Sequence, residues 1–271
     1  MDRLSFLLHQ FSLRADVFHR GPLCGARLFE GALSAGHLHL VVRGPVQLTA
    51  PDGSVTQIEE PSVIFVPRAA AHQLASDAPD GAELVCAAVD LGGLGNPIAE
   101  SLPPLMVVPL TQLPGSQALL SVLLQEAFAP RCGAQAALDR LCELLLIHVF
   151  RYALEHRLSH AGALAGLADP KLAKALLALH EDPARPWRLE DMAREAGMSR
   201  ARFAARFHTV VGQTPADYLA AWRVGWGQRL LRKGEPLGRV AEAVGYGSAS
   251  AFTRAFTRHL GVAPGAWLRG T

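Results

Sequence analysis

The sequence predicts an α+β protein with an N-terminal antiparallel β-barrel, a pair of helices, and a C-terminal all-α region that contains two helix-turn-helix units. Three observations predict this class. Short apolar runs alternate with turn signals over residues 17–90, helix-forming residues dominate from about residue 115, and the last third contains an internal repeat. A chain of 271 residues is long enough for two domains with separate cores.

The composition excludes several classes of protein. Half of the residues are hydrophobic and 18% are charged, which excludes a largely disordered chain. The sequence has no apolar run of about 18 residues, so we expect no membrane span, and its first residues lack the pattern of a secretory signal. Four irregularly spaced cysteines favour a reducing compartment, so we expect a cytoplasmic protein.

The net charge of +2 is the sum of two halves of opposite sign. Residues 1–165 carry 10 basic and 15 acidic side chains, a net charge of −5, whereas residues 166–271 carry 16 and 9, a net charge of +7. A basic module indicates a polyanionic partner. The C-terminal part is therefore the candidate for binding nucleic acid.

The N-terminal part predicts an antiparallel barrel over residues 1–110, because short strand-like runs are separated by turn-forming residues. The runs are His37–Val42, Val46–Leu48, Ser62–Val66 and Glu83–Cys86, and the turns lie at 43–45, 51–53 and 77–81.

Two helices are predicted at 116–129 and 134–158, within a helical pair that spans residues 111–160. The second helix is so apolar that it must bury more than one face. We expect the pair to form a homodimer interface; burial within a single chain is the alternative. Small residues and glycines then predict a linker at 161–170, before a C-terminal domain of residues 171–271.

The C-terminal part repeats one plan twice. Gly197 and Gly245 are 48 residues apart, whereas Phe203 and Phe252 are 49 residues apart, so the second copy has one extra residue after its glycine. Each copy consists of a short amphipathic helix, a glycine-containing turn and a helix with phenylalanines four residues apart. This is the pattern of a helix-turn-helix.

The residue types at the repeated positions have physical reasons. Ala193 and Ala241 allow two helices to approach closely, and the glycines supply a positive φ where the first helix ends. Ser199 is the predicted N-cap of one second helix, and Ser248 or Ser250 caps the other. The phenylalanine pairs face the first helix, so the opposite faces point outward.

The predicted helix Ala216–Lys233 joins the two copies. It is about 27 Å long at 1.5 Å per residue, which suits two recognition helices placed about 34 Å apart, one turn of DNA. A helical bundle whose basic residues only form a solvated surface is the alternative.

The segment Val240–Phe256, followed by Gly261–Pro264, is close to a family signature, and Trp187–Leu268 as a whole resembles the DNA-binding domain of the AraC/XylS transcription regulators. The resemblance implies that both second helices enter successive segments of the major groove. It implies base-facing positions at Ala201, Ala204, Ala205, Ala249, Ser250 and Arg254, and phosphate contacts from Arg202, Arg206, Thr253 and Arg258. Long polar readers are absent from the first recognition helix, so hydrogen-bonded readout falls to Arg254, Ser250 and Arg200.

Three histidines of the N-terminal part form a candidate metal site. His37 and His39 share one face of a predicted strand, and His72 follows the strand Val63–Val66. Imidazoles at i and i+2 with a third from a neighbouring strand suit a divalent metal, zinc first, with Cu, Ni or Fe as alternatives. Two other interpretations are open: the histidines line a pocket for an organic ligand, or they bind nothing.

Gly36–His39 and Pro67–His72 resemble the two metal motifs of a cupin barrel, which many AraC-type regulators carry as a sensor. Arg43 and Gly44 stand where a cupin glutamate is expected, which favours a sensing site over a dioxygenase. The layout is similar to that of cupin regulators linked to reactive-chlorine stress. Cys24, in the segment Leu23–Gly25 ahead of the histidine strand, is a candidate fourth and softer ligand. The similarity to these regulators also makes it a candidate redox-reactive thiol, with a buried small hydrophobe as the alternative.

These features together predict a transcription regulator, an activator by family resemblance, rather than an enzyme. Its expected partners are double-stranded promoter DNA, RNA polymerase, a second copy of the chain, and a metal ion or small-molecule effector. The alternatives are a metal-dependent cupin enzyme with a helical appendage and an adaptor that uses its helices for protein contacts.

Overall fold

The computed structural model describes Leu4, Leu8 and residues 13–31, 36–91, 97–129, 131–158 and 161–269. The chain divides into two compact units. The β unit contains Ser12–Gly93 and Leu102–His156, and the helical unit contains Met1–Phe11, Leu94–Ser101 and Arg157–Thr271.

Nine described strands form two sheets in the β unit, and all their pairings are antiparallel. One sheet has the order β1-β8-β3-β6-β9 and the other the order β2-β7-β4-β5. The strands are β1 (Arg14–Leu23), β2 (Gly25–Phe29), β3 (Gly36–Arg43), β4 (Val46–Thr49), β5 (Val55–Ile58), β6 (Ser62–Val66), β7 (His72–Ser76), β8 (Ala82–Asp90) and β9 (Met106–Pro109). The predicted antiparallel β domain is confirmed.

The core of the β unit comes from central strands that are buried on both faces. Every residue of β6 is buried, which explains its apolar sequence, and the first six residues of β3 are buried with His37 and His39 on one face. Val41, Val46, Leu48, Ile64 and Leu74 form the centre of one buried cluster.

The predicted helical pair is observed as α2 (Gln117–Phe128) and α3 (Ala134–Glu155), after the short helix α1 (Pro97–Ser101). Helix α3 packs on β1. A bulge in β1 shifts the register after Val17. Side chains of α3 satisfy the backbone there, because the Val17 N–H donates to Asp139 Oδ1 (2.9 Å) and its carbonyl accepts from Gln135 Nε2 (2.8 Å).

Eight further helices follow in the helical unit. They are α4 (Ala163–Ala168), α5 (Leu172–Glu181), α6 (Leu189–Glu195), α7 (Arg200–Val211), α8 (Pro215–Arg232), α9 (Leu237–Ala243), α10 (Ala249–Leu260) and α11 (Pro264–Arg269). None of the helices in the described part of the chain is long and apolar enough to cross a membrane.

The prediction of a linker at 161–170 is wrong. Most of that segment forms α4, and its Leu164 and Leu167 side chains are buried. A β-carbon on Gly166 would lie 2.4 Å from Leu176 Cδ1, so its small size reflects tight helix packing rather than flexibility. The continuous boundary at residue 110 is also wrong, because Leu94–Ser101 belongs to the helical unit.

Candidate nucleic-acid interface and histidine cluster

Two helix-turn-helix units are present, formed by α6 with α7 and by α9 with α10. Gly197 and Gly245 have φ values of +61° and +84° in the two turns, as the sequence predicts. Ser199 occupies the N-cap of α7 without a side-chain hydrogen bond among the described residues. Ser248, rather than Ser250, caps α10, since its hydroxyl accepts from the Ala251 N–H at 3.2 Å.

The phenylalanine pairs fix the orientation of the recognition helices α7 and α10. Phe203, Phe207, Phe252 and Phe256 are completely buried. The two rings of each pair pack at a tilt, with centroids 5.5 Å apart in the first pair and 5.6 Å in the second. Because the pairs face inward, the predicted base-facing positions lie on the other side of each helix. Ala201, Ala205, Ser250 and Arg254 are exposed, and Ala204 and Ala249 are half-buried.

Two arginines of the first recognition helix are engaged within the unit. Arg200 Nη1 donates to Glu190 Oε1 at 3.0 Å, which lowers the pKa of that carboxyl. Arg206 Nε donates to Asp169 Oδ2 at 2.8 Å. Burial acts to raise the pKa of Asp169, but this hydrogen bond and those from the Leu172 and Lys171 amides outweigh burial and lower it.

The remaining predicted phosphate contacts and readers differ from these two. Arg202, Arg254 and Arg258 are exposed, and none of them forms an ion pair with a carboxylate in the described part of the chain. The Thr253 hydroxyl donates to the Ala249 carbonyl at 2.8 Å, which leaves its oxygen lone pairs as acceptors. The second recognition helix therefore presents Arg254 and Arg258 without a carboxylate partner among the residues that the structure describes.

The predicted metal-site histidines lie together in the β unit. The ring centroids of His37, His39 and His72 are 5.0–5.8 Å apart, and all three side chains are buried. Phe29 pairs with His72 across β2 and β7, and its ring stacks on that imidazole at 5.4 Å. The two strand motifs thus converge as the sequence predicts.

The hydrogen bonds of the cluster define its tautomers. His72 Nδ1 lies 3.0 Å from the Ala70 carbonyl oxygen, which can only accept, so Nδ1 carries the proton. His72 Nε2 then accepts from His39 Nε2 at 2.7 Å. Among the described residues, Nδ1 of His37 and of His39 has no hydrogen-bond partner.

Burial keeps the cluster neutral. It lowers the pKa of His37 to about 4, with His72 contributing, and lowers the pKa of His39 well below its usual value, with His72 and His37 contributing. Burial also lowers the pKa of His72, although the hydrogen bond to Ala70 opposes this. Neutral imidazoles are the form that binds a metal.

Comparisons with known proteins agree with both halves of the structure. Residues 2–155 match the family model described as Cupin, and residues 192–270 match the model described as Helix-turn-helix domain. The chain belongs to the AraC-type regulators with an N-terminal cupin domain.

The chain is similar to two curated relatives and to one solved structure. A putative AraC-like transcription regulator of Streptomyces lividans is 42% identical over 174 residues, which are 62% of this chain and 57% of the relative. The chain therefore matches less than two thirds of the length of that relative. The RCS-specific HTH-type transcriptional activator RclR of Escherichia coli is 28% identical over 240 residues, 87% of this chain and 84% of the relative. Unsaturated fatty acid-bound ToxT from Vibrio cholerae has a TM-score of 0.44 at 16% identity, covering 95% and 94% of the two chains.

The cupin histidines have suitable donors for a metal, but their positions are those of a hydrogen-bonded pair. Two nitrogen ligands at about 2.0–2.1 Å from a tetrahedral zinc lie about 3.3 Å apart, whereas the Nε2 atoms of His39 and His72 are 2.7 Å apart. No group of three or more His, Cys, Asp or Glu side chains in the described ranges is arranged to hold a metal ion.

The prediction that Cys24 is a fourth ligand is wrong. The cysteine precedes Gly25, which pairs with Ser76, while Phe29 pairs with His72. Ser76, which lies beside the cysteine, and His72 are four residues apart on β7, a distance of about 13 Å along the strand. Cys24 is a free, exposed cysteine, so its redox role stays a prediction.

Sequence reasoning missed two residues that hold the helix-turn-helix units together. Arg223 of α8 donates to the Pro183 carbonyl (2.7 Å) and the Arg185 carbonyl (2.9 Å), and its guanidinium lies 5.6 Å from the Tyr246 ring centroid. Gly227 lies directly under Phe252. A glycine inside a predicted helix was the sole feature of the sequence that indicated a close contact between Gly227 and a phenylalanine of a recognition helix.

Sequence reasoning also passed over His19 of the cupin domain. His19 and His39 both pair with Cys86, on opposite sides of β8, so the sheet brings His19 to the same level as the cluster. Its charge contributes to lowering the pKa of His39.

Proposed function

We propose that the protein is a DNA-binding transcription regulator, with its cupin domain as the sensor of an effector. The observation that carries this proposal is the pair of recognition helices, α7 and α10, each oriented by two buried phenylalanines and each with an exposed outer face. The tandem arrangement supports a double-stranded promoter site as the partner. Relatives named as transcription regulators support a role other than catalysis.

The two recognition helices contribute differently to DNA binding. Helix α7 presents the small, apolar Ala201 and Ala205, which suit contact with thymine methyl groups. Helix α10 presents Arg254 and Ser250 as hydrogen-bonding readers and Arg258 as a phosphate contact. Since Arg200 and Arg206 are engaged by carboxylates, α10 supplies the larger share of the electrostatic attraction.

The cupin domain senses its signal through the histidine cluster in this proposal. A divalent metal ion, zinc by preference, would be held by His37, His39 and His72, and binding would require the hydrogen bond between His39 and His72 to open. Neutral rings and the buried Nδ1 atoms without partners in the described structure support a ligand at this place. Oxidation of the exposed Cys24 is the second candidate signal.

Large apolar side chains on the outer surface of α2 and α3 support a homodimer. Val122, Phe128 and Leu144 are exposed at 46%, 41% and 42%, whereas the opposite faces of these helices are buried in the β unit. The name of the Escherichia coli relative supports activation, which requires contact with RNA polymerase in the cytoplasm.

Gel-shift titration of the full chain at several salt concentrations tests the proposed function. DNA affinity should fall steeply as salt rises, because each phosphate contact releases counterions. The rival cupin enzyme would turn over a small substrate and show no salt-dependent affinity. Absence of binding to every fragment of duplex DNA, at low salt as well, would reject the proposal.

A further inference from the structure

A cleft of about 850 Å³ lies inside the helical unit, between the two recognition helices. Ala204 and His208 of α7 form one wall, Arg254 and Arg258 of α10 form the other, and Leu219 of α8 belongs to the lining between them. Pockets for small molecules have volumes of about 300–1,000 Å³. The cleft has the size of a ligand site.

The charged groups that line the cleft are cationic. They are Arg223, Arg254 and Arg258, and no aspartate or glutamate belongs to its described lining. Arg223 is fixed by its bonds to the Pro183 and Arg185 carbonyls, so one cation is already positioned. Such a set of cations without a carboxylate favours an anion.

The rest of the lining is apolar and aromatic. Trp187, Leu189, Met192, Leu219 and Tyr246 contribute surface that an inorganic ion or a phosphodiester would leave in contact with water. An organic anion with a flat or aliphatic body would cover this surface and place its charge against the arginines.

We propose that this cleft binds a small organic anion with an apolar body and that its occupant excludes DNA. Arg254 and Arg258 belong to the proposed DNA-binding face, so the same two cations would have to serve both partners. Ligand and DNA then weaken each other's binding by the same factor. The exclusion of DNA rests on the proposed function, whereas the binding of the anion does not.

Two fluorescent probes test the site on the full chain. The anion 8-anilinonaphthalene-1-sulfonate should bind saturably, and the neutral N-phenyl-1-naphthylamine, which lacks the sulfonate, should bind at least about tenfold more weakly. Duplex DNA that is bound in the gel shift should displace the anion. Equal affinity for the two probes would overturn the charge-directed site, and simultaneous binding of anion and DNA would overturn the exclusion.

Three variants locate the probe. Arg258→Gln removes a cation of the cleft and should weaken the anionic probe about tenfold while leaving the neutral probe unchanged. Ala220→Leu fills the cleft from α8 and should weaken both probes. Arg239→Gln removes the same charge from an exposed position on α9, outside the cleft, and should change neither. Wild-type affinities in Arg258→Gln and Ala220→Leu would place the probes elsewhere and reject the proposal. If the anion binds as expected but no DNA is shifted, the proposed function fails and the ligand site stands.

Discussion

Phe252 of the second recognition helix packs against Gly227 of α8 so closely that a β-carbon on the glycine would lie 2.4 Å from Phe252 Cζ. The phenylalanine is completely buried, and the ring of Phe256 packs beside it at 5.6 Å. The absence of a side chain at residue 227 therefore determines how deeply α10 sits on α8. The position of the proposed DNA-binding face depends on this contact.

Gly227→Ala should destabilise the helical unit by about 1–3 kcal/mol, because the added methyl group overpacks a filled core. It should also weaken DNA binding by displacing α10. Gly238→Ala on α9 is the matched control, since a β-carbon there meets nothing within 4 Å and alanine is the better helix former. Denaturant unfolding measured by tryptophan fluorescence reports this unit, because Trp187, Trp222, Trp226 and Trp267 all lie in it. Equal stability of both variants would contradict the prediction.

Arg202 and Arg206 should respond differently to neutralisation. Arg202→Gln should lower the slope of log affinity against log salt by about 1, since it removes one phosphate contact. Arg206→Gln should leave this slope nearly unchanged and lower the free energy of unfolding by up to about 1 kcal/mol, because its partner is Asp169 rather than DNA. Gel shifts and denaturant titrations of the two variants separate these effects. An equal loss of slope in both would show that Arg206 leaves Asp169 when DNA binds.

Arg254 and Arg258 should differ in sequence dependence. Arg254→Ala should cost about 1–3 kcal/mol at one base pair and relax the preference there, if its guanidinium reads guanine. Arg258→Ala should weaken binding to every sequence alike, because a phosphate contact carries no sequence information. Competition gel shifts with a set of single-base-pair substitutions measure both. Uniform weakening by Arg254→Ala would make it a phosphate contact as well.

The parts of the fold that repeat in sequence could be predicted in detail. Phe203 and Phe252 occupy equivalent positions in two copies, so each copy supported the interpretation of the other, and both phenylalanines are buried as expected. The convergence of His37, His39 and His72 was predictable from strand alternation and a family resemblance. Local pattern was sufficient for the phenylalanines because their contacts recur in the second copy. The meeting of β3 and β7, which belong to different sheets, followed from the family resemblance.

The failures have one physical cause, which is contact between different elements of the fold that no local sequence pattern records. The small residues around Gly166 predicted a linker, but they allow Leu176 to approach closely. The position of Cys24 ahead of the histidine strand predicts a ligand, whereas the pairing of Gly25 with Ser76 places the cysteine at the other end of β7. The role of Arg223 could not be predicted from the sequence, because its partners are backbone carbonyls and every residue has one.

The cupin domain should lose stability as the pH falls. The folded pKa of His37 is about 4, below its ordinary value of 6.5, so the unfolded chain binds more protons between these values. Above pH 6.5 the ring is neutral in the folded and the unfolded chain, so the free energy of unfolding is highest there. As the pH falls toward 4, proton uptake by the unfolded chain lowers the free energy of unfolding. Proton NMR titration of the imidazole, assigned with His37→Gln, measures the pKa directly. A value near 6.5 would contradict the burial of a neutral ring.

Removal of a cluster histidine should abolish metal retention if the proposed sensor holds a metal ion. Metal content after purification and zinc exposure should be about one ion per chain in the wild type and near zero in His37→Ala, His39→Ala and His72→Ala, because each removes one of three ligands. His148→Ala is the matched control, since His148 lies on α3, outside the cluster. Cys24→Ala should retain the metal, because the cysteine lies at the far end of β7 from His72. Equal metal content in all five variants and the wild type would remove the metal and leave an organic ligand or Cys24 oxidation as the signal.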